Sequence, residues 1–344
     1  MRTRSPLHGL GAISLLALLA LTACTPDTSG GIELVPPPIQ RPDDLATDAP
    51  DQAQIRKARA ERNRAINAAA AATTPSTSSL VQQEYYSRVE SRLLSQGRLR
   101  RDRIPQDAPI DAEQLAQNFI RIALRSEYDL KGGGRLSGSQ QASPLRRWQD
   151  PVRIQLHFGN SADRAAQARV RDEVATYAGR LGRISGHDVA LSGGKGNFLV
   201  MVLNEDDRRQ IDAPLARMVP DLPSGDVAAL RDLSPSNMCT VFAYSRGNGD
   251  RYAQAVAVIR AELPPLLRLS CIHEELAQGL GLANDSPQVR PSIFNDDEEF
   301  ALLTRHDELL LQILYDPRLQ PGMSEAEATP IVRQIARELL PSQT

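Results

Sequence analysis

The stretch 271–285 constrains the fold of this chain more than any other part of its sequence. Within it, Glu274 and Gln278 are four residues apart, a spacing that places both side chains on one face of a helix. Gly281 follows three residues later, and a glycine at a helix end allows the chain to turn sharply. Such a turn brings Asn284 back towards the same face. The sequence therefore predicts a helix, a tight turn and a cluster of polar side chains between them.

These residues have the spacing of a metalloprotease motif but not its residue types. From Glu274 onwards the pattern is Glu-Glu-x-x-Gln-x-x-Gly-x-x-Asn, whereas the metzincin pattern is His-Glu-x-x-His-x-x-Gly-x-x-His. The chain therefore resembles the metzincins, which are zinc-dependent peptidases. The resemblance implies that Glu274, Gln278 and Asn284 stand at the three ligand positions of a degenerate metal site. It also places Glu275 at the position of the catalytic general base and Gly281 at the turn.

A histidine precedes the motif but does not fit it. If His273 were the first ligand of a His-Glu-x-x-His pattern, the second ligand would be Ala277, whose methyl side chain has no donor atom. Moving the pattern one residue along the chain leaves no histidine at any ligand position. We therefore predict that His273 packs or hydrogen-bonds beside the helix and binds no metal.

The chain downstream of the motif extends the resemblance. Ser292, Ile293 and Phe294 stand where the metzincins carry the Ser-Ile/Val-Met of their Met-turn, with Phe294 in place of methionine. The segment 303–315 resembles their closing helix, which begins Leu-Ser/Thr, contains Asp and ends in Leu-Tyr. The region 111–340 also resembles a family of proteobacterial lipoproteins known only as a domain of unknown function, through Glu-Glu-Leu-x-Gln-x-Leu-Gly-Leu-x-Asn-Asp and Ser-Ile-Phe-Asn-Asp. No activity follows from that second resemblance.

The residue types at the ligand positions bear on the metal. Zinc prefers imidazole and thiolate, accepts carboxylate and binds neutral amides poorly, so the set Glu274, Gln278 and Asn284 disfavours zinc. An all-oxygen set, to which Asp285 can add a weaker fourth member, suits Ca²⁺, Mg²⁺ or Mn²⁺ better. The sequence leaves the cofactor open: zinc is not expected, and another divalent cation fits the ligand chemistry.

Two functions are consistent with this motif. The first is a non-standard metal-dependent peptidase or other hydrolase, in which Glu275 activates water. The second is a pseudoenzyme that acts as a binding or scaffold module, because the same polar side chains can hydrogen-bond to one another without an ion. The absence of every histidine ligand favours the second function.

Two cysteines within the predicted domain indicate a disulfide. Cys239 and Cys271 form an even pair, and such pairs in exported proteins are typically oxidised. The bridge closes a loop of about 33 residues and contributes on the order of 3–4 kcal/mol in the chain-entropy model. It would hold the start of the motif helix. A catalytic or metal-binding thiol is the alternative.

The N-terminus predicts an exported, lipid-anchored protein. Arginines near the start precede an apolar core at 13–21, which is too short to span a membrane and ends in Leu-Thr-Ala-Cys24. That ending resembles a bacterial lipobox, so we expect a lipoprotein signal peptide over 1–23 and lipid modification of Cys24. No aspartate follows the cysteine, which favours the outer membrane with the domain facing the periplasm. An ordinary secretory signal is the alternative.

The remaining sequence predicts a tether, an arm and one domain. Residues 24–50 are rich in Pro, Asp and Thr and predict a disordered tether, and 51–109 predict a helical and low-complexity arm. Residues 110–341 predict a single α/β (α+β), metzincin-like (zincin) domain with a mixed sheet and an active-site helix. The net charge of −2, without a basic-aromatic patch, argues against a nucleic-acid partner. The partners expected are the lipid membrane, through Cys24, and a peptide or envelope protein.

Hydrophobic periodicity locates the main elements. Asp111 is predicted to cap a helix, and an arm helix over 80–99 presents one apolar face. That face comprises Val81, Tyr85, Val89 and Leu93. A further helix is predicted at about 162–181, and strands are predicted at 152–158, 197–203, 239–244 and 254–259.

Overall fold

A computed structural model describes residues 75–128, 136–247, 249–295 and 297–341, together with the isolated positions 61, 62 and 64. The predicted signal peptide, Cys24, the tether and most of the predicted helix at 51–72 lie outside the described residues. All of the structure described below belongs to one compact unit, Ala58–Thr344.

The described part of the chain contains nine helices and eight strands, in mixed order along the chain. The helices are α1 Thr77–Ser95, α2 Ala112–Ala123, α3 Arg164–Ser185, α4 Glu205–Arg208, α5 Asp212–Met218, α6 Ser224–Arg231, α7 Pro265–Gln278, α8 Arg305–Leu314 and α9 Glu325–Leu339. The strands are β1 Arg125–Tyr128, β2 Leu136–Ala142, β3 Arg147–Trp148, β4 Val152–Phe158, β5 Val189–Leu191, β6 Phe198–Leu203, β7 Cys239–Ser245 and β8 Arg251–Arg260. Among the described residues, no helix combines the length and hydropathy that a membrane span requires.

Six strands form a mixed sheet, as predicted. Five run parallel in the order β3-β8-β6-β4-β5, and β7 pairs antiparallel with β8, with Cys239 opposite Ile259. All six residues of β6 are buried, which is expected where helices or other segments cover both faces of a parallel sheet. β7 pairs with no other described strand, so it is an edge of the sheet.

The motif helix α7 follows the central strand β8 directly. Residues 261–264 separate the two elements, and α7 begins with Pro265, since proline is well suited to the first turn of a helix, where it has no N–H to satisfy. The helix ends at Gln278, and the chain then turns at Gly281, whose φ of 128° favours glycine. A Cβ atom at Gly281 would lie 2.5 Å from the carbonyl oxygen of Arg146, so the turn also needs glycine for space. The predicted helix and turn therefore form.

Helix α1 packs against the domain rather than extending from it. Tyr86 is fully buried, and its hydroxyl donates to the carbonyl oxygen of Pro235 at 2.9 Å. The predicted apolar face was wrong in part: Leu93 is buried, but Val81 and Tyr85 are 57% and 39% exposed. The buried face follows a seven-residue spacing through Tyr86 and Leu93, because contacts with distant segments decide which side of the helix is covered.

Candidate functional site

A cavity of about 320 Å³ lies between the edge strand β7 and helix α7. The first six residues of β7 line one side of it. The other side is formed by α7 and by the turn that follows it, through Glu274, Glu275, Gln278, Gly281 and Asp285. The structure therefore brings five of the motif residues together at one concave surface.

The second predicted ligand position is held by a hydrogen bond within this cluster. The side-chain amide of Gln278 donates to Asp285 Oδ1 at 2.7 Å. The bond spans the turn at Gly281 and joins the end of α7 to the segment that returns towards it. It is the kind of contact expected if the polar cluster stabilises the turn without an ion.

Asn284 has a different position from the other motif residues. It is 1% exposed and is not among the residues that line the cavity. Its side-chain amide donates to the carbonyl oxygen of Arg121 at 2.8 Å, and its backbone N–H donates to that of Ile122 at 3.1 Å. Asn284 therefore joins the turn to helix α2. Its Oδ1 atom is buried and accepts no hydrogen bond among the described residues.

The predicted ligand set does not fit the zinc of the metzincins. The side-chain nitrogens of Gln278 and Asn284 already donate to protein oxygens, which leaves these residues only weak amide oxygens for a metal. Glu274 alone contributes a ligand that zinc readily accepts. An oxygen-preferring cation stays a prediction for these positions, as does the role of Glu275 as a general base.

Glu275 is buried at the base of the cavity. Burial, and after it the negative charge of Asp285, raises the pKa of Glu275 well above its usual range. Only 3% of the residue is exposed, and its Oε2 atom has no hydrogen-bond partner among the described residues. No described cationic side chain forms an ion pair with it. The shift is towards the protonated carboxyl, a form that can donate a proton but cannot accept one from water.

His273 packs and hydrogen-bonds beside the helix, as predicted, and is not among the residues that line the cavity. Its ring stacks on Tyr177 with the ring centres 3.9 Å apart, and its Nδ1 accepts a hydrogen bond from the backbone N–H of Leu303 at 3.1 Å. Burial, followed by the nearby Arg180 charge, lowers the pKa of His273 to about 3. The neutral imidazole therefore contacts helix α3 through the stacked ring and the segment before α8 through the hydrogen bond, and it stabilises α7 against both.

The turn at Ser292 and Phe294 is buried and contacts the segment after the motif, because the carbonyl oxygen of Phe294 accepts from the backbone N–H of Ser286 at 2.9 Å. Ser292 Oγ donates to Asp307 Oδ1 at 2.6 Å and accepts from the backbone N–H of Phe294 at 3.0 Å. The Phe294 side chain is fully buried in the hydrophobic core. Asp307 also takes part in the capping box at the start of α8, with Thr304 as the N-cap. The spacing of Thr304 and Asp307 is the usual sequence signal of such a cap.

The predicted disulfide forms, and it lies at one end of the cavity. Cys239, the first residue of β7, is bonded to Cys271 of α7, with the two Cα atoms 5.9 Å apart. Cys239 Sγ and one carboxyl oxygen each of Glu274 and Glu275 all lie within 4.8 Å of one another. In the described part of the chain, no other three His, Cys, Asp or Glu residues group so closely. The helix spacing of Cys271, Glu274 and Glu275 could have predicted part of this group, but not the approach of Cys239.

The fold and the site define an α/β domain with a mixed sheet and an acidic cavity between its edge strand and a buried helix. The chain belongs to a family described as protein of unknown function (DUF2927), whose model matches residues 112–334. The resemblance to a domain of unknown function is thereby confirmed. No curated protein and no solved structure matches the chain significantly.

Proposed function

We propose that this chain is a binding module of the cell envelope, with a metzincin-like domain that holds an extended peptide between β7 and α7. The observation that carries the proposal is the position of β7, an edge strand whose residues line the cavity. An extended peptide can add to such an edge through main-chain hydrogen bonds, while the surface beside it selects side chains.

The metzincin-like character of the domain is part of the proposal. It is supported by four features of the motif region: a parallel sheet with one antiparallel edge strand, a helix that carries the degenerate motif, a glycine turn, and a buried turn at Ser292 that follows them in the chain. The envelope location and the lipid anchor rest on the sequence of residues 1–24, and the disulfide is consistent with an oxidising compartment.

The charge of the cavity indicates the kind of peptide. Glu274 and Asp285 place carboxylates at its floor. Four acidic residues line the cavity, Glu274, Glu275, Asp285 and Glu298, against two arginines, Arg125 and Arg146. Each arginine also pairs with an acidic residue outside this set, Arg125 with Glu325 at 2.8 Å and Arg146 with Asp250 at 3.3 Å. The surface therefore favours a peptide with basic side chains.

The hydrogen bonds at the ligand positions support a binding module over a hydrolase. Gln278 is engaged with Asp285 and Asn284 with Arg121, and the carboxyl of Glu275 favours its protonated form. The metal-dependent hydrolase is the second candidate. It is favoured by the unpartnered buried oxygens of Glu275 and Asn284, which a cation could satisfy.

The proposal is tested with a short labelled peptide in which lysine alternates with valine. Fluorescence anisotropy measures its binding to the oxidised protein. Glu274→Gln is expected to weaken binding about three- to fivefold, since a partly exposed charge pair contributes up to about 1 kcal/mol. Glu84→Gln, at an exposed glutamate of α1, is the matched control and should have no effect. A chelator should leave binding unchanged.

Metal analysis of the same protein distinguishes the two candidates. Stoichiometric divalent metal that is lost on Glu274→Ala, together with peptide cleavage that is lost on Glu275→Gln, would establish the hydrolase instead. Equal binding by the Glu274→Gln variant and the parent protein would show that the peptide does not use this cavity.

A further inference from the structure

The disulfide and two glutamates meet at one end of the cavity. Cys271, Glu274 and Glu275 lie within a single turn of α7, at spacings of three and four residues that share one helix face. Cys239 reaches the same point from β7 through its bond to Cys271. Cys239 Sγ and the two carboxyl groups therefore meet at this point, and Cys271 Sγ is covalently bonded to Cys239 beside them.

The separation of these groups is close to that of a tetrahedral metal site. Zinc bonds to sulfur and oxygen are about 2.0–2.3 Å long, so neighbouring ligand atoms in a tetrahedral site are about 3.3–3.8 Å apart. Cys239 Sγ and the oxygens of Glu274 and Glu275 lie within 4.8 Å of one another. Small side-chain rotations can therefore bring them around one ion.

A buried oxygen at this point has no partner. Glu275 is 3% exposed, it lines the cavity, and its Oε2 atom accepts no hydrogen bond among the described residues. A buried acceptor left without a hydrogen bond destabilises the folded protein. A cation bound between the sulfurs and the carboxylates would remove that destabilisation, which the disulfide form cannot do.

From this geometry we propose that reduction of the Cys239–Cys271 disulfide creates a zinc site with Cys239, Cys271, Glu274 and Glu275 as its ligands. Two thiolates make the set suitable for zinc, unlike the Glu274, Gln278 and Asn284 positions of the sequence motif. The oxidised protein does not bind the ion in this way, because both sulfurs are used in the covalent bond. The site is thus controlled by the redox state of the cysteines.

A dithiol can act as the reductant in this reaction. One of its thiolates attacks Cys239 Sγ, which is half-buried and lines the cavity, and Cys271 leaves as a thiolate. The second thiol of the reductant then displaces Cys239 and closes a disulfide in the reductant. The dithiol supplies two electrons and two protons in total. Zinc subsequently replaces the protons on its ligands, and these pass to water.

The test uses cobalt(II) as a spectroscopic substitute for zinc, in the full-length chain carrying Cys24→Ser so that only two cysteines remain. After reduction with a phosphine, we expect one equivalent of cobalt to bind with a sulfur-to-cobalt charge-transfer band, and zinc to displace it. The oxidised protein and the Cys239→Ser/Cys271→Ser double variant should show no such band.

The carboxylates are tested separately in the reduced protein. Glu274→Gln and Glu275→Gln should each weaken cobalt binding about tenfold or more, because even residues that only orient metal ligands contribute about 10–100-fold. Glu262→Gln is the matched control. Glu262 is also buried with an unpartnered oxygen, but its carboxylate accepts from Ser79 and from the Glu205 N–H, and it should leave affinity unchanged.

Several outcomes would overturn the proposal. One is the absence of the charge-transfer band in the reduced parent protein, and another is unchanged affinity in both glutamine variants. A third is loss of the native near-ultraviolet circular dichroism on reduction without recovery when zinc is added. Peptide binding is measured on the oxidised, metal-free protein, so failure of this site and failure of the proposed peptide site can be told apart.

Discussion

Glu275 is the residue whose expected state differs between the two candidate functions. Its neighbours along α7 are apolar or face the cavity, so the helix carries its carboxyl group out of water. A glutamate in such a place favours the neutral form unless a cation is bound beside it. The same side chain can therefore act as a buried hydrogen-bonding group in one state of the protein and as an ionised ligand in another.

The first stability prediction concerns Glu275→Gln, an uncharged substitution of similar shape. The folded pKa of Glu275 lies above its unfolded value of about 4.3, so its stabilising effect is full below that value and is lost as pH rises towards the folded pKa. The unfolding free energy of the variant minus that of the parent protein should therefore be larger at pH 8 than at pH 5. Urea unfolding of the oxidised proteins measures it.

Exposed Glu84 supplies the comparison for this prediction. Glu84→Gln should change the unfolding free energy by the same small amount at both pH values, since its side chain is 64% exposed. If Glu275→Gln shows no greater pH dependence than Glu84→Gln, Glu275 is ionised in the folded protein and a cationic neighbour must be present.

Among the secondary-structure elements, α1 offers the sharpest contrast between neighbouring residues. Tyr86 is fully buried and Tyr85 is 39% exposed, although they are adjacent in the sequence and their rings are in contact. Tyr86→Ala is expected to reduce the free energy of unfolding by about 3–5 kcal/mol, because it leaves a large cavity. Tyr85→Ala should reduce it by about 0.5–1.5 kcal/mol, the contribution of an aromatic contact. Urea unfolding of both variants checks this, and equal effects would mean that α1 does not pack as described.

Elements with strong local signals could be predicted from the sequence. Strand β4 occupies the predicted range 152–158, and α2 begins after Asp111, whose side chain caps it. Short elements between 205 and 231 were missed, since α4, α5 and α6 have too few residues for a periodic pattern. Helix α9 was also missed, and its interior proline at 330 is a poor helix former.

In the candidate site, too, contacts that are local in sequence could be predicted and contacts between distant segments could not. Residues of α7 and its turn follow from spacing along the chain, so Glu274, Gln278 and Gly281 could be placed together before the structure was known. The hydrogen bond from Asn284 to Arg121 and the approach of β7 join segments far apart in sequence. The spacing of residues within a single sequence does not indicate such contacts.

For the molecule as a whole, the region that the family model matches is shorter than the folded unit. The family model begins at residue 112, whereas α1 and the chain after it pack on the domain and bury Tyr86, Leu93 and Leu99. The backbone N–H of Leu99 donates to the carbonyl oxygen of Glu298 at 2.9 Å. Residues before the matched region therefore contribute to the stability of the unit.

This extent can be tested with two fragments, 75–341 and 110–341. Burial of one large apolar side chain contributes about 1.5–3 kcal/mol, so loss of Tyr86 and Leu93 should cost the shorter fragment about 3–6 kcal/mol. Chemical unfolding of both fragments, compared with the full-length chain, measures the difference. Equal unfolding midpoints for the two fragments would show that the domain is complete from residue 110.

The disulfide makes the two ends of the cavity different. The bond fixes the first residue of β7 to α7, whereas Ser245 at the other end of the strand has no covalent link to the helix. A shift of β7 away from α7 must therefore be smallest at Cys239 and grow along the strand. Bulky side chains of a ligand would be accommodated towards Ser245 and only small ones near the disulfide. A peptide would therefore bind along β7 in one of its two possible orientations.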